Sequence, residues 1–411
     1  MRIGLFTDTY PPYINGVSTS VFMLKQALEK KGHQVYVVTV SNNSMKYQIE
    51  ENGKVIRIPG VPTGIYDYRF SRIYPVKVIN QMKKWHLDVI HSHTEFGIGI
   101  FARLFAKQFG IPLVHTYHTM YEDYIHYITK GYFNKSSKKI VEYLTLFYCD
   151  KTATELIVPT KKTYDLFKKK YQVNKNIHIV PTGIEVERFY KENVNSKKTQ
   201  ALKKKLQLLK DDFVLLFVGR LAEEKDVNFL IDVMKDINKK NKNIKLMIVG
   251  DGPDKEKYEK LSKKYKIDEY VIFTGKVPWE EIPSYYQLSD LFITASKSET
   301  QGLTVIEAMA AGIVPLCIDD EAFKTVIVDG LNGVLFQNKK DCKNQIFKLY
   351  EQAEFRSHLA KQARINAEQC SSKHYAENVL DVYRSAMNEK QNNFGWIQAA
   401  IDKIRRSKWK R

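Results

Sequence analysis

The feature that most constrains this chain is the repeated alternation of short, almost wholly apolar β-branched runs with amphipathic stretches at helical spacing. The runs 3–6, 35–40, 55–58, 88–91, 113–116 and 156–158 form a first series. Strands that lack polar alternation are covered on both faces, the condition of a parallel sheet. Between the first two runs Val17, Val21, Leu24 and Leu28 recur at helical spacing, and Gly32 can end that helix. A second series, 214–218, 246–249, 271–273, 291–294 and 314–318, repeats the arrangement. Strand, crossover helix and strand in this order predict an α/β doubly wound sheet. Two series in 411 residues predict two such Rossmann-like domains.

The expected divisions are 1–186 for the first domain, a polar, lysine-rich linker over 187–211, a second domain over 212–390 and a basic tail over 391–411. The phrases Gly110-Ile-Pro-Leu-Val and Gly312-Ile-Val-Pro-Leu recur, each a glycine closing a helix before a buried strand. Beyond residue 340 the pattern is wholly helical. Two sheets facing a central cleft would bind ligands at the C-terminal edges of their strands.

The most specific motif is Ser298-Glu299-Thr300-Gln301-Gly302-Leu303-Thr304-Val305-Ile306-Glu307, which follows one strand and opens a helix. A helix start exposes unpaired N–H groups and the positive end of its dipole, a fit for a diphosphate. One carboxylate, Glu299, would meet a sugar hydroxyl, and the other, Glu307, a ribose diol. Alone, the pair reads equally as a helix-start charge and a surface residue. Gly219-Arg220-Leu221 with Lys225 sits at another strand-to-helix turn, where both cations would neutralise a leaving diphosphate. Gly16, in Asn15-Gly16-Val17 after the first strand, permits close approach of backbone to phosphate. Neither this loop nor Gly250-Asp-Gly252 has the G-x-G-x-x-G spacing, which disfavours a nicotinamide dinucleotide.

Polar residues crowd behind the run 113–116, in His115-Thr-Tyr-His118-Thr-Met-Tyr121-Glu122-Asp123-Tyr124. Such a cluster lines a cleft, and His118 would orient a sugar hydroxyl or respond to developing charge. His91 and His93 follow another strand, and with no third ligand at matching spacing they read as packing or supporting residues. The four cysteines show no C-x-x-C spacing, so reduced structural thiols are expected and no metal.

Together the Asn-Gly-Val loop, His118, Gly219-Arg220 with Lys225, and Glu299-x7-Glu307 resemble the retaining glycosyltransferases of family four. The resemblance spans the chain to about residue 390. It implies the GT-B architecture, a nucleotide-sugar donor, no tightly bound cofactor and no required metal. His115-Thr-Tyr-His118-Thr-Met-Tyr121-Glu122-Asp123-Tyr124, with Phe6-Thr-Asp8-Thr-Tyr10 and Pro181-Thr-Gly183-Ile-Glu185, resembles more narrowly the branch that transfers glucose from UDP-glucose to 1,2-diacylglycerol.

That resemblance implies roles. Glu299 holds donor hydroxyls; backbone around Thr300, Gln301, Gly302 and Leu303 holds the distal phosphate; Glu307 binds ribose. Arg220 and Lys225 stabilise the leaving diphosphate, Gly16 closes over it, and His118 stands near the reacting carbon. Asp8, Tyr121 and Asp123 are the candidate acceptor contacts. Glutamine at 301 replaces a common phenylalanine and narrows the branch. Another acceptor (a glycolipid, a phosphoinositide, a small sugar) or another donor stays compatible with the same motifs.

Charge bears on the acceptor. Lys and Arg number 65 against 46 Asp and Glu, a net +19. Such a surplus suits an anionic membrane surface or nucleic acid, although lysine bias in an AT-rich genome produces it without function. No recognition-helix or RNA-platform motif accompanies it, so nucleic acid is disfavoured. Basic and aromatic residues mingle over 66–85, over 130–175 with its eleven lysines, and over 394–411. Helical spacing of Ile140, Leu144, Phe147 and Tyr148 suits an interfacial helix, or one packed back on the protein. No apolar run approaches the ~18 residues of a membrane span, and the N-terminus lacks a signal-peptide core. The expected location is cytoplasmic, peripheral on the inner membrane face.

Overall fold

The computed structural model describes residues 1–13, 15–42, 44–62, 69–71, 73–118, 145–146, 149 and 152–389. The chain divides into two compact units, Met1–Gly183 with the chain from Lys373, and Ile184–Ser372.

The first unit is built on an eight-stranded sheet of order β10-β9-β8-β7-β1-β2-β4-β3. Its strands are β1 Arg2–Phe6, β2 Gln34–Val40, β3 Gln48–Glu50, β4 Val55–Ile58, β7 Val89–Ser92, β8 Leu113–Thr116, β9 Glu155–Val158 and β10 Ile177–Ile179. A separate hairpin pairs β5 Gly60–Pro62 with β6 Arg69–Ser71. All neighbours in the large sheet are parallel except β3 with β4. The chain winds from β1 outward through β2, then resumes on the other side at β7. Strand order therefore reverses between β1 and β7, where such sheets bind ligands.

The second unit repeats the plan with six parallel strands in the order β13-β12-β11-β14-β15-β16. They are β11 Phe213–Val218, β12 Ile244–Val249, β13 Val271–Gly275, β14 Leu291–Thr294, β15 Val314–Ile318 and β16 Val334–Phe336. Its switch point lies between β11 and β14. Every side chain of β14 and β15 is buried, as continuous apolar runs require.

Two boundaries differ from the sequence reading. The stretch 187–211 is not a bare linker. Phe189 and Tyr190 are buried, and the helix Ser196–Lys205, capped by the Asn195 side chain on Lys198 N, packs Leu202 and Leu206 on the second core. The helix over 372–389 lies with the first unit. Tyr375, Ala376, Val379, Leu380, Tyr383 and Ala386 form a stripe at 3.6-residue period, buried against Ile3, Leu5, Val21 and Leu24. Its helical period was legible, but a stripe does not say which apolar face it covers.

No helix among the described residues is long and apolar enough to cross a membrane. No two of the four cysteines are joined in a disulfide, and Cys149, Cys317 and Cys342 are buried.

Candidate active site

In the second unit both sequence motifs arrive at the switch point. Arg220 and Lys225 lie in the loop after β11, while Glu299 to Gly302 fill the loop after β14 and lead into the helix Leu303–Ala310. The loop after β11 is held by close backbone packing. A Cβ on Gly250 would lie 1.9 Å from the Gly219 carbonyl oxygen, so only glycine admits this approach. Leu221 N donates to Asp251 O at 3.0 Å, and Asp254 N to Leu221 O at 3.0 Å.

The second loop turns on Gly302, whose φ of 79° is left-handed. A Cβ there would sit 2.7 Å from Phe323 Cε1. The turn delivers Leu303 and its successors with first-turn N–H groups outside the helical ladder. Gln301 is buried at 3% exposure. The two loops are tied together by Glu224: its carbonyl accepts from Ser296 Oγ at 3.4 Å and Ser298 Oγ at 3.2 Å.

Charge is closely paired. Arg220 Nη2 donates to Glu224 Oε1 at 2.5 Å, and Lys225 Nζ donates to Glu299 Oε1. Burial by itself pushes the Glu299 carboxyl up. The Lys225 ammonium and a Ser296 hydrogen bond outweigh it and hold the group below its ordinary value, hence ionised at neutral pH. Glu307 differs. Burial raises it to about 7, against a Tyr286 hydrogen bond and the Arg188 charge that pull downward. Tyr286 OH donates to Glu307 Oε2 at 2.7 Å, and the Arg188 guanidinium stacks 3.4 Å from the Trp279 ring centre.

In the first unit, Gly16 begins the helix Gly16–Lys30, capped by Asn15 Oδ1 on Ser18 N at 2.9 Å. A Cβ on Gly16 would meet nothing within 4 Å, so the backbone there faces open space. Asp8, in the loop after β1, is buried with both carboxylate oxygens engaged. Thr94 Oγ1 donates to Oδ2 at 2.5 Å and Ile98 N to Oδ1 at 3.1 Å. Burial raises its carboxyl to about 6. The structure therefore gives Asp8 the work of joining the loops after β1 and β7. Tyr121 and Asp123 lie outside the described residues, as do 130–144 and 390–411 of the basic segments.

Histidines fill the edge behind β7 and β8. His93 Nδ1 lies 3.0 Å from His118 Nε2. His91 is buried between Tyr383 OH at 2.7 Å and Thr116 Oγ1 at 2.6 Å. His115 bonds Ser92 O and Glu95 Oε1, each at 3.0 Å. Burial lowers the His118 imidazole to about 4, so it is neutral at physiological pH. No group of three metal-ligating side chains occurs among the described residues.

Tyr286, Arg188, Glu224 and Glu95 escaped the sequence reading. Glu224 carried a signal, standing four residues after Arg220. Tyr286 precedes Glu307 by 21 residues and carried none.

Residues 14–188 match the family Glycosyltransferase Family 4, and residues 198–366 match Glycosyl transferases group 1. The alpha-monoglucosyldiacylglycerol synthase of Acholeplasma laidlawii is 36% identical over 390 residues, covering 93% of this chain and 96% of the relative. The enzyme of the same name from Streptococcus pneumoniae is 35% identical, covering 84% of this chain and 77% of that one. Among solved structures, Anabaena Alr3699/HepE in complex with UDP-glucose superposes with a TM-score of 0.70 at 15% identity, covering 93% of this chain and 99% of that one. The fold is GT-B, and the chain belongs to the family four, group 1 glycosyltransferases.

Proposed function

We propose that this glycosyltransferase moves glucose from UDP-glucose to 1,2-diacylglycerol with retention, giving α-monoglucosyldiacylglycerol. The carrying observation is the switch-point arrangement in the second unit. Two cations, a helix start and two carboxylates of opposite protonation tendency lie on two adjoining loops. The relatives named as alpha-monoglucosyldiacylglycerol synthases support the choice of donor and acceptor.

In this reading the diphosphate takes over the Lys225 ammonium. Glu299, already ionised, is released to accept hydrogen bonds from donor-sugar hydroxyls. Arg220, steadied by Glu224, faces the phosphates with the N–H groups after Gly302. Tyr286 holds one oxygen of Glu307 and leaves the other for the ribose. The bond from the anomeric carbon to the phosphate oxygen breaks with its electron pair on UDP. The acceptor hydroxyl bonds to the same face of that carbon, and its proton passes to the departing phosphate. Preorganised cations favour the transition state because charge on UDP grows as the bond opens.

The acceptor is a lipid, and a net +19 supports peripheral residence on an anionic cytoplasmic membrane face. A product screen with radiolabelled UDP-glucose, UDP-galactose and GDP-mannose against diacylglycerol, glucosyldiacylglycerol and phosphatidylinositol tests the reading. Expected is one labelled lipid, α-linked by NMR, from UDP-glucose and diacylglycerol. Transfer from another donor, or only to another acceptor, would overturn it.

A further inference from the structure

We propose that His93 is a positioning residue that fixes the tautomer of His118, so that His118 carries its proton on Nδ1 and serves the reaction as a hydrogen-bond donor through that atom. The service to the reaction rests on the proposed transferase function; the tautomer itself does not.

The contact between His93 Nδ1 and His118 Nε2 spans 3.0 Å. Both rings are neutral: burial holds the imidazoles of His93 and His118 below their ordinary value. One proton therefore lies between the two nitrogens, and either ring is the donor.

The far side of His93 decides which. Its Nε2 is buried and has no hydrogen-bond partner among the described residues. If His118 donated to His93 Nδ1, the proton of neutral His93 would reside on Nε2, a buried N–H with nothing to receive it. If His93 donates from Nδ1, Nε2 presents only a lone pair. A buried orphan donor is the rarer and costlier state. His93 therefore donates, and His118 accepts at Nε2 and keeps its own proton on Nδ1.

The surroundings hold His93 to this task. Its backbone N donates to Phe6 O at 2.9 Å, fixing it at the switch point, and its ring centre lies 3.9 Å from that of His91. His91 is itself clamped by Tyr383 and Thr116, whose hydroxyls suit either of its tautomers. With its lone pair engaged by His93, His118 is not a general base. It offers an N–H to an oxygen of the substrate.

Selective 15N-histidine labelling and NMR of the full chain read the tautomer directly. Expected is a protonated Nδ1 and a bare Nε2 on His118, with the pattern lost or reversed in His93→Leu. A protonated Nε2 on His118 in the wild type would overturn the inference, whatever the sugar transferred. Kinetics supply the second arm, because an asparagine amide nitrogen stands near the histidine Nδ1 position and a glutamine amide nitrogen near Nε2. His118→Asn should keep at least about tenfold more kcat than His118→Gln, and His93→Asn should outperform His93→Leu. Circular dichroism and thermal midpoints confirm folding of each variant. The opposite order among folded variants would overturn the donor role of Nδ1. Failure of the transferase reading would show instead as no lipid product from the wild type, with the NMR result standing by itself.

Discussion

Lys225 and Glu299, 74 positions apart, close an ion pair between the loop after β11 and the loop after β14. Their side chains keep 17% and 21% of their exposure, so water screens the pair only in part. The pair joins the groups assigned to phosphate and to sugar. It keeps Glu299 ionised and Lys225 extended before any ligand arrives.

Removing either partner leaves a charge half-buried without its complement. Lys225→Ala is expected to lower turnover about 10²–10³-fold, as loss of one transition-state stabiliser does. Glu299→Ala should nearly abolish transfer. In urea unfolding at neutral pH each single variant should lose about 1–3 kcal/mol, and the double variant less than their sum. Glu299 has a depressed carboxyl, so its contribution is present above the ordinary carboxylate range and fades as pH falls through the lowered value. Additive losses, or wild-type turnover in either variant, would refute the pairing's role.

Glu307 should make donor affinity depend on pH. With the carboxyl near 7, the ionised fraction rises about tenfold between pH 6 and pH 8. An ionised group accepts from both ribose hydroxyls, so UDP should bind more tightly as pH rises across that window. Glu307→Gln should flatten the contribution. Tyr286→Phe removes a hydrogen bond that lowers the carboxyl, so the transition should move to higher pH. Calorimetric titration of UDP from pH 6 to 8 on the three proteins measures this. A Gln variant with the wild-type pH slope would count against it.

How far this was legible in the sequence follows from chain distance. Continuous strands such as β11 and β15 announce themselves, because burial on both faces forces every residue to be apolar. The three-residue strands β3, β10 and β16 carried too few residues to show a period. Motif residues were legible where glycine and charge sit within one loop, as at Gly302 and Arg220. The partners were not. Tyr286 reaches Glu307, and His93 reaches His118, only because neighbouring parallel strands bring distant loops to one edge. Asp8 stood in a motif and read as an acceptor contact, yet its two oxygens are taken by Thr94 and Ile98.

The Asp8 carboxyl, raised to about 6 by burial, binds its proton more tightly folded than unfolded. The sign follows: the folded state gains from this group at low pH, and the gain drains away as pH rises from about 4 to 6. The difference is at most about 3 kcal/mol at 1.36 kcal/mol per unit. Asp8→Asn cannot titrate. Stability of wild type minus Asn, from urea unfolding, should therefore fall by about 1–3 kcal/mol between pH 4 and pH 7. Asp8→Ala should be less stable at both, since Ile98 N loses its acceptor. A pH-independent difference between wild type and Asn would contradict the raised carboxyl.

Gly302 separates two penalties in one position. A side chain there meets a φ of 79°, a left-handed backbone that L-residues adopt at about 1–2 kcal/mol. It also places Cβ 2.7 Å from Phe323 Cε1, closer than carbon atoms pack. Gly302→Ala should therefore lose about 2–4 kcal/mol in urea unfolding and weaken UDP binding, because the N–H groups behind the turn move with it. Phe323→Leu shortens the ring side of the clash but leaves φ unchanged. The double variant should regain the steric share when compared with Phe323→Leu alone and keep a residual loss near 1 kcal/mol. Full recovery would mean that the left-handed turn is not what selects glycine. No recovery at all would place the whole cost in the backbone. UDP affinity measured on the same proteins says whether the anion site follows the turn or the ring.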